Sequence, residues 1–181
     1  PVLPAADGHF IWIGKLCNLG PVVKWVNQRS LSRPLVIISD LGEMPSSSRQ
    51  LGFTARNSID FVRWSARDHI EQTRHAFAAI DVKGEEFRSR HKPPAKMLDF
   101  LASGIPVISS PLHSPGFYHQ PGGLQPCFEP EEIGTAYVEA VQRFAVRVRS
   151  RLSVKNVCTE LSSILGQLIL DCSPRMSSLS T

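Results

Sequence analysis

The sequence predicts an α/β protein, a doubly wound parallel sheet of about six strands with helices on both faces. Three observations carry this expectation. Short apolar or β-branched runs alternate with segments of helical spacing along most of the chain. One run, "PLVIISD", is almost continuously apolar, as a strand covered on both faces must be. Helix-start signals, Pro21 and Ser65, follow strand-like runs closely.

The first strand is expected at His9 to Gly14, "HFIWIG". A helix follows in which Val22, Val23 and Val26 share a face and Pro21 occupies the first turn. The second strand is "PLVIISD", Pro34 to Asp40. Leu41 to Ser58 then reads as a long surface connection with room for one short element. "IDFVRWS" supplies a third strand, and Ser65 caps a helix from Ala66 to about Arg74. "AFAAIDV" is the fourth strand, Ala95 to Ser103 a helix closed by Gly104, and "IPVIS" the fifth strand.

A short sixth strand is expected around Cys127 and Phe128. It leads to a helix with Glu131 and Glu132 in its first turn and Ile133, Tyr137, Val141 and Phe144 on one face. Val157, Leu161, Ile164, Leu165 and Leu168 predict a last amphipathic helix. This ordering is Rossmann-like, with right-handed connections.

At 181 residues one domain is expected, residues 1–172, followed by a disordered tail at 173–181. The net charge of +4 comes from basic residues scattered along the chain, which suits anionic ligands and argues against nucleic acid. Arg143, Arg147, Arg149, Arg151 and Lys155 form a late basic stripe. It reads as a solvated face, with a peripheral membrane contact or a partner lobe as the alternatives.

Cys17, Cys127, Cys158 and Cys172 lie far apart, without a CxxC pair or a histidine at metal-ligand spacing. Free thiols in the cytoplasm are expected. No apolar run approaches the roughly 20 residues of a membrane span, and no signal peptide is evident. The start at Pro1, without a methionine, raises the expectation that the chain is part of something longer.

Ligands of such sheets sit beyond the carboxyl ends of the strands. After the first strand come Gly14 and Lys15, where a glycine admits close backbone approach and a lysine can meet phosphate. Neither a GxGxxG nor a Walker pattern is present. In "HKPPAKMLDFLASGIPVISS", Pro93 and Pro94 set where a helix starts. That leaves the amides of Ala95, Lys96 and Met97 facing the sheet edge, with Asp99 one turn further on. These residues read equally as an anion site with a carboxylate for ligand hydroxyls, or as a plain helix entrance with a Lys96–Asp99 pair. Asp81, Glu85 and Glu86 read as a solvated acidic loop or as sugar contacts. His113 and His119 read as ordinary loop histidines.

The same stretch resembles the C-terminal, donor-binding lobe of GT-B glycosyltransferases of the large retaining "group 1" class. There a lysine-proline entry leads into Lys-(apolar)2-Glu-(aromatic)-(apolar)-Ala-x-Gly-x-Pro-Val-Ile. Lys96, Asp99, Phe100, Ala102, Gly104, Pro106, Val107 and Ile108 fall on that pattern. "FIWIGKL", "PLVIISD", "IDFVRWSARDHIEQT" and "CFEPEEIGTAYVEAV" agree with it in order, so that the resemblance spans residues 9–170.

The resemblance implies a hexosyltransferase-like activity in which a nucleotide-diphospho-sugar donates its sugar, with retention, to an acceptor. It implies no cofactor and no metal. Asp99 would accept from the ribose hydroxyls, and Gly14, Lys15 and the amides of Ala95, Lys96 and Met97 would serve the diphosphate. The base would lie near Arg63, Trp64 and Ser65, and catalytic roles would fall to Lys15 and His91. It also implies an acceptor-binding N-terminal lobe outside these 181 residues, without which donor binding would be weak and transfer nil.

Three positions depart from the pattern. Aspartate stands at 99 where glutamate is usual, His91 occupies the place of a second glutamate, and Gly20 and Pro21 replace a second basic residue. A non-catalytic interaction or nucleotide-sensing module derived from such a lobe is the alternative.

Overall fold

The computed structural model describes residues 1–40, 42, 45, 47–87, 95–110, 124–151, 156, 158, 159, 161–165 and 167. It is an α/β structure built on one all-parallel sheet of five strands: β1 (His9–Ile13), β2 (Leu35–Ser39), β3 (Ile59–Arg63), β4 (Ala76–Asp81) and β5 (Val107–Ser109). The spatial order is β3-β2-β1-β4-β5.

The expected sixth strand is reduced to a single parallel bridge between Ile108 and Cys127. Pro126 and Pro130 flank this bridge, and neither can donate a backbone hydrogen to extend a ladder. Cys127 is nonetheless buried, and its thiol reaches the Glu129 carbonyl at 3.2 Å. Burial, with Glu132 nearby, pushes this thiol up to about 12, so it stays protonated and unreactive at neutral pH.

The named helices among the described residues are α1 (Gly20–Asn27), α2 (Ala66–Arg74), α3 (Ala95–Ser103) and α4 (Thr135–Arg151); α1 covers one face of the sheet and α3 with α4 the other, while no residue of α2 is fully buried. Strand periodicity divides the core between two faces. Ile11, Val36, Ile38, Ala79 and Val107 point to the face where Met97, Phe100 and Leu101 of α3 meet Val141 and Phe144 of α4. Phe10, Trp12, Leu35, Ile37 and Ile80 point the other way, against Val22 and Val26 of α1.

The period breaks once. The β1–β4 register shifts between His9 and Phe10, and Phe77 then joins Ala78 on the face of α1. There Phe77 meets Phe10 edge-on at 5.8 Å, while the Arg33 guanidinium covers its ring at 4.1 Å.

Local signals place the helix ends. Ser65 caps α2 by accepting from Asp68 N–H at 3.0 Å, and its hydroxyl donates back to the Asp68 carboxylate at 2.6 Å. Gly104 closes α3 at φ +95°. A side chain there would also strike the Val2 carbonyl, which lies along the end of the helix.

The glutamates expected in the first turn of the helix that carries Tyr137, Val141 and Phe144 are elsewhere. Glu131 and Glu132 lie in a separate 3-10 turn, Pro130–Glu132, and Gly134 intervenes before α4 begins at Thr135. Glu132 instead accepts from the Phe128 amide at 2.8 Å.

Beyond α4 the described residues are helical. Leu161, Ile164 and Leu165 are 53–58% exposed, so the apolar face expected there is not covered by the described residues. Val157, Leu168 and the tail at 173–181 lie outside the described residues. Of the basic stripe, Arg149 donates to the Ala102 carbonyl at 3.0 Å and Arg143 lies 3.7 Å from Glu139. Lys155 lies outside the described residues. Among the described residues, no helix is long and apolar enough to cross a membrane.

Two polar contacts tie α1 to distant segments. Asn57, almost fully buried, donates to the carbonyls of Val26 and Arg29 at 3.1 and 3.0 Å and accepts from Leu31 N–H at 2.7 Å. Arg29 holds Glu129 through two bonds of 2.6 and 2.7 Å while covering the Trp25 ring at 4.3 Å.

Replacing Asn57→Ala takes this partner from the Leu31 amide and the Arg29 carbonyl, while the Val26 carbonyl keeps the Arg29 amide, and is expected to lower stability by about 1–3 kcal/mol in urea unfolding. The Arg29 contact holds the Glu129 carboxyl below its ordinary 4.5. A depressed carboxyl stabilises the fold fully above the unfolded value and loses that contribution as pH falls through the folded one. Unfolding midpoints measured below pH 4.5 should therefore fall less steeply in Glu129→Gln than in the unaltered chain.

Candidate functional site

From β1 the chain moves outward on one side to β2 and β3, then crosses back to β4 on the other. Segments leaving β1 and β4 at their carboxyl ends therefore part, and a crevice opens between them. A cleft of about 140 Å³ lies there, lined by Trp12, Asn18, Pro21, Asp81, Lys83 and Lys96 among others. A broader groove of about 690 Å³ continues from it over α1, past Lys24, Trp25 and Gln28. A smaller cleft, about 70 Å³, runs between α2 and α3, where His69 and Thr73 face Asp99 and Ser103.

Lys96 lines both the first cleft and the smaller one. Its ammonium donates to the Ile13 carbonyl at 2.6 Å, at the very end of β1, and stands 5.3 Å from the centre of the Trp12 ring. Gly14 makes this reach possible. A Cβ at that position would fall 2.9 Å from Lys96 Nζ and 2.8 Å from the Trp12 ring, so only glycine leaves the ammonium its place. The Gly14 amide meanwhile donates to the Ile38 carbonyl at 3.1 Å, which fixes the chain as it leaves the sheet.

The expected site residues separate into groups. Ala95 lines the first cleft at the start of α3. Met97 buries its side chain in the core, leaving only its amide for a ligand. Asp99 is exposed and belongs to the smaller cleft, on the α2 side of Lys96.

Lys15 is exposed, and its carbonyl accepts from Asn18 N–H at 2.9 Å in the 3-10 turn Leu16–Asn18. Its side chain does not line either cleft. Trp64 is half-exposed just past β3, two strands from the crevice, with its amide bonded to the Ser39 carbonyl at 2.7 Å. His91, with Lys92, Pro93 and Pro94, lies outside the described residues.

The sequence reading missed the buried pair at the end of β4. Read from sequence as part of a solvated acidic loop or as a sugar contact, Asp81 has a side chain only 6% exposed and 3.3 Å from Lys83 Nζ, itself only 14% exposed. The signal was present, because Asp81 and Lys83 end the apolar run "AFAAIDVK" at the carboxyl edge where ligands gather. Glu85 lines the open groove over α1, and Glu86 is exposed at the border of the first cleft.

Among the described residues no group of three or more histidine, cysteine, aspartate or glutamate side chains is arranged to hold a metal ion. The arrangement therefore offers two ammonium groups, a helix start and a buried carboxylate around one crevice. Such a set suits an anion that also carries hydrogen-bond donors. The chain matches no protein-family model, and no curated protein matches it.

Replacing Gly14→Ala should displace Lys96 from Ile13 and press on Trp12. A loss of about 1–3 kcal/mol in denaturant unfolding, with a changed Trp12 emission, is expected.

Proposed function

We propose that this domain is the donor-binding lobe of a retaining glycosyltransferase and holds a nucleotide-diphospho-sugar in the crevice between β1 and β4. The observation that carries the reading is the convergence of Lys83, Lys96 and the start of α3 on that crevice. It lies where a Rossmann-like, doubly wound sheet receives its ligands. The sequence pattern from Lys92 to Ser109 supports the same reading, because Lys96 and Ala95 of that pattern line the crevice.

In this reading the diphosphate lies against the first amides of α3 and the Lys96 ammonium, which leaves Ile13 to meet it. Asp99, on the other flank of Lys96, takes the ribose hydroxyls in the smaller cleft. Helix amides and ammonium groups then stabilise the departing nucleoside diphosphate as the sugar leaves. Transfer requires an acceptor-binding lobe to close over this cleft, and the 181 residues by themselves bind donor without transferring it.

A second reading, a nucleotide-binding module without catalysis, is favoured by one observation: the Lys96 ammonium is already engaged with a backbone carbonyl. In that reading the crevice binds ligand but completes no transfer with any partner.

Titration of the chain with UDP-glucose and GDP-mannose, followed by amide chemical shifts, is expected to move Gly14, Lys15, Lys83 and Ala95 to Asp99. Asp99→Ala should weaken binding by about 1–3 kcal/mol through the lost ribose contact. No response at millimolar ligand sinks both readings. Binding without transfer, once an acceptor lobe and acceptor are supplied, favours the second.

A further inference from the structure

We propose that Asp81 is a specificity-determining residue of this crevice, accepting a hydrogen bond from a hydroxyl of the sugar on the diphosphate. The assignment rests on the reading of the crevice as a nucleotide-sugar site.

Asp81 is the last residue of β4, and its partner in β5 is Ser109. Its side chain is more than nine-tenths buried, yet Oδ2 has no hydrogen-bond partner among the described residues. Lys83 Nζ stands 3.3 Å from that oxygen, close enough for an ion pair but not aligned as a hydrogen bond. A carboxylate oxygen offers about two acceptor sites, and burying it with none filled is costly. Asp81 lines the crevice. Oδ2 itself is covered, with Lys83 Nζ beside it, so a hydroxyl entering there reaches that acceptor as Lys83 turns from the carboxylate to the phosphates.

Charge narrows the occupant. A bare diphosphate suits Lys83 and Lys96 but is repelled by the buried carboxylate beside Lys83. A ligand with hydroxyl groups beside its phosphates satisfies all three, its phosphate oxygens taking the ammonium protons and one hydroxyl donating to Asp81.

Position narrows it further. Lys96 lines both clefts, with Asp81 in one and Asp99 in the other. A diphosphate at Lys96 thus has a carboxylate on each side, as a molecule with hydroxyl-bearing groups at both ends of its diphosphate requires. Asp99 takes the nucleoside end, and Asp81 the sugar end. Lys83 acts through Asp81, holding the carboxylate in place.

The test compares the affinities of UDP-glucose and GDP-mannose with those of UDP and GDP, in the unaltered chain and in Asp81→Ala and Asp81→Asn. In the unaltered chain the sugar should add affinity. Asp81→Ala should cut affinity for the sugar nucleotides about tenfold while leaving UDP and GDP unchanged or tighter, because Lys83 is released to the phosphates. Asp81→Asn keeps the shape and covers the case in which alanine fails to fold.

In the unaltered chain, amide shifts at Asp81 and Ser109 should respond to UDP-glucose or GDP-mannose but not to UDP or GDP. If the nucleotides bind and the sugar preference survives both substitutions, or if those amides respond equally to every ligand, the Asp81 assignment is overturned and the nucleotide-sugar reading stands. If none of the four ligands binds the unaltered chain, both are overturned.

Discussion

β1 is the constraint on which the rest depends. It is the central strand, paired in parallel with β2 on one side and β4 on the other, and it is buried on both faces by Phe10, Ile11 and Trp12. A strand so enclosed has no route for its backbone except the ladder, so both neighbours must be present and in register. The chain meets that demand by building outward through β2 and β3 and then returning to β4. The return crossing forces the two carboxyl-end loops apart, so the crevice is a consequence of the way β1 is satisfied.

Lys96 joins this architecture to chemistry. It stands 83 residues from Ile13 in sequence, yet its ammonium ends on that carbonyl. The contact pins the start of α3 over the end of β1, and Met97, Phe100 and Leu101 then anchor the same helix in the core. One side chain thus both sets the position of the helix and carries the charge that an anion at the helix start would meet. A ligand that draws Lys96 away from Ile13 competes with a structural hydrogen bond, and part of its binding energy is spent there. Asp81 and Lys83 show a related economy, a buried carboxylate kept beside its own cation at the open end of the sheet.

The apolar face of the last helical segment contrasts with this. Leu161, Ile164 and Leu165 keep the spacing of a buried face, yet they are exposed, whereas the same periodicity in α4 places Val141 and Phe144 in the core. Periodicity gives the side of a helix that is apolar, and only contact with another layer decides whether that side is covered.

The sequence by itself determined the alternation of strands and helices, the start of α1, the ends of α2 and α3, and the closure of α3 by Gly104. Each rests on chemistry within a few residues, namely a proline in the first turn, a capping serine and a glycine at positive φ. It also placed Gly14, Ala95 and Lys96 at strand and helix ends, where ligands bind.

Only the tertiary structure decided the strand order, the loss of the sixth strand to a bridge at Cys127, and the partition of Lys96 and Asp99 between clefts. It alone turned Asp81 from a loop acid into a buried carboxylate beside Lys83. These outcomes follow from which distant segments share a face, and no local pattern encodes a neighbour scores of residues away. Burial and charge pairing, the two properties that make a residue chemically distinctive, are made by those neighbours.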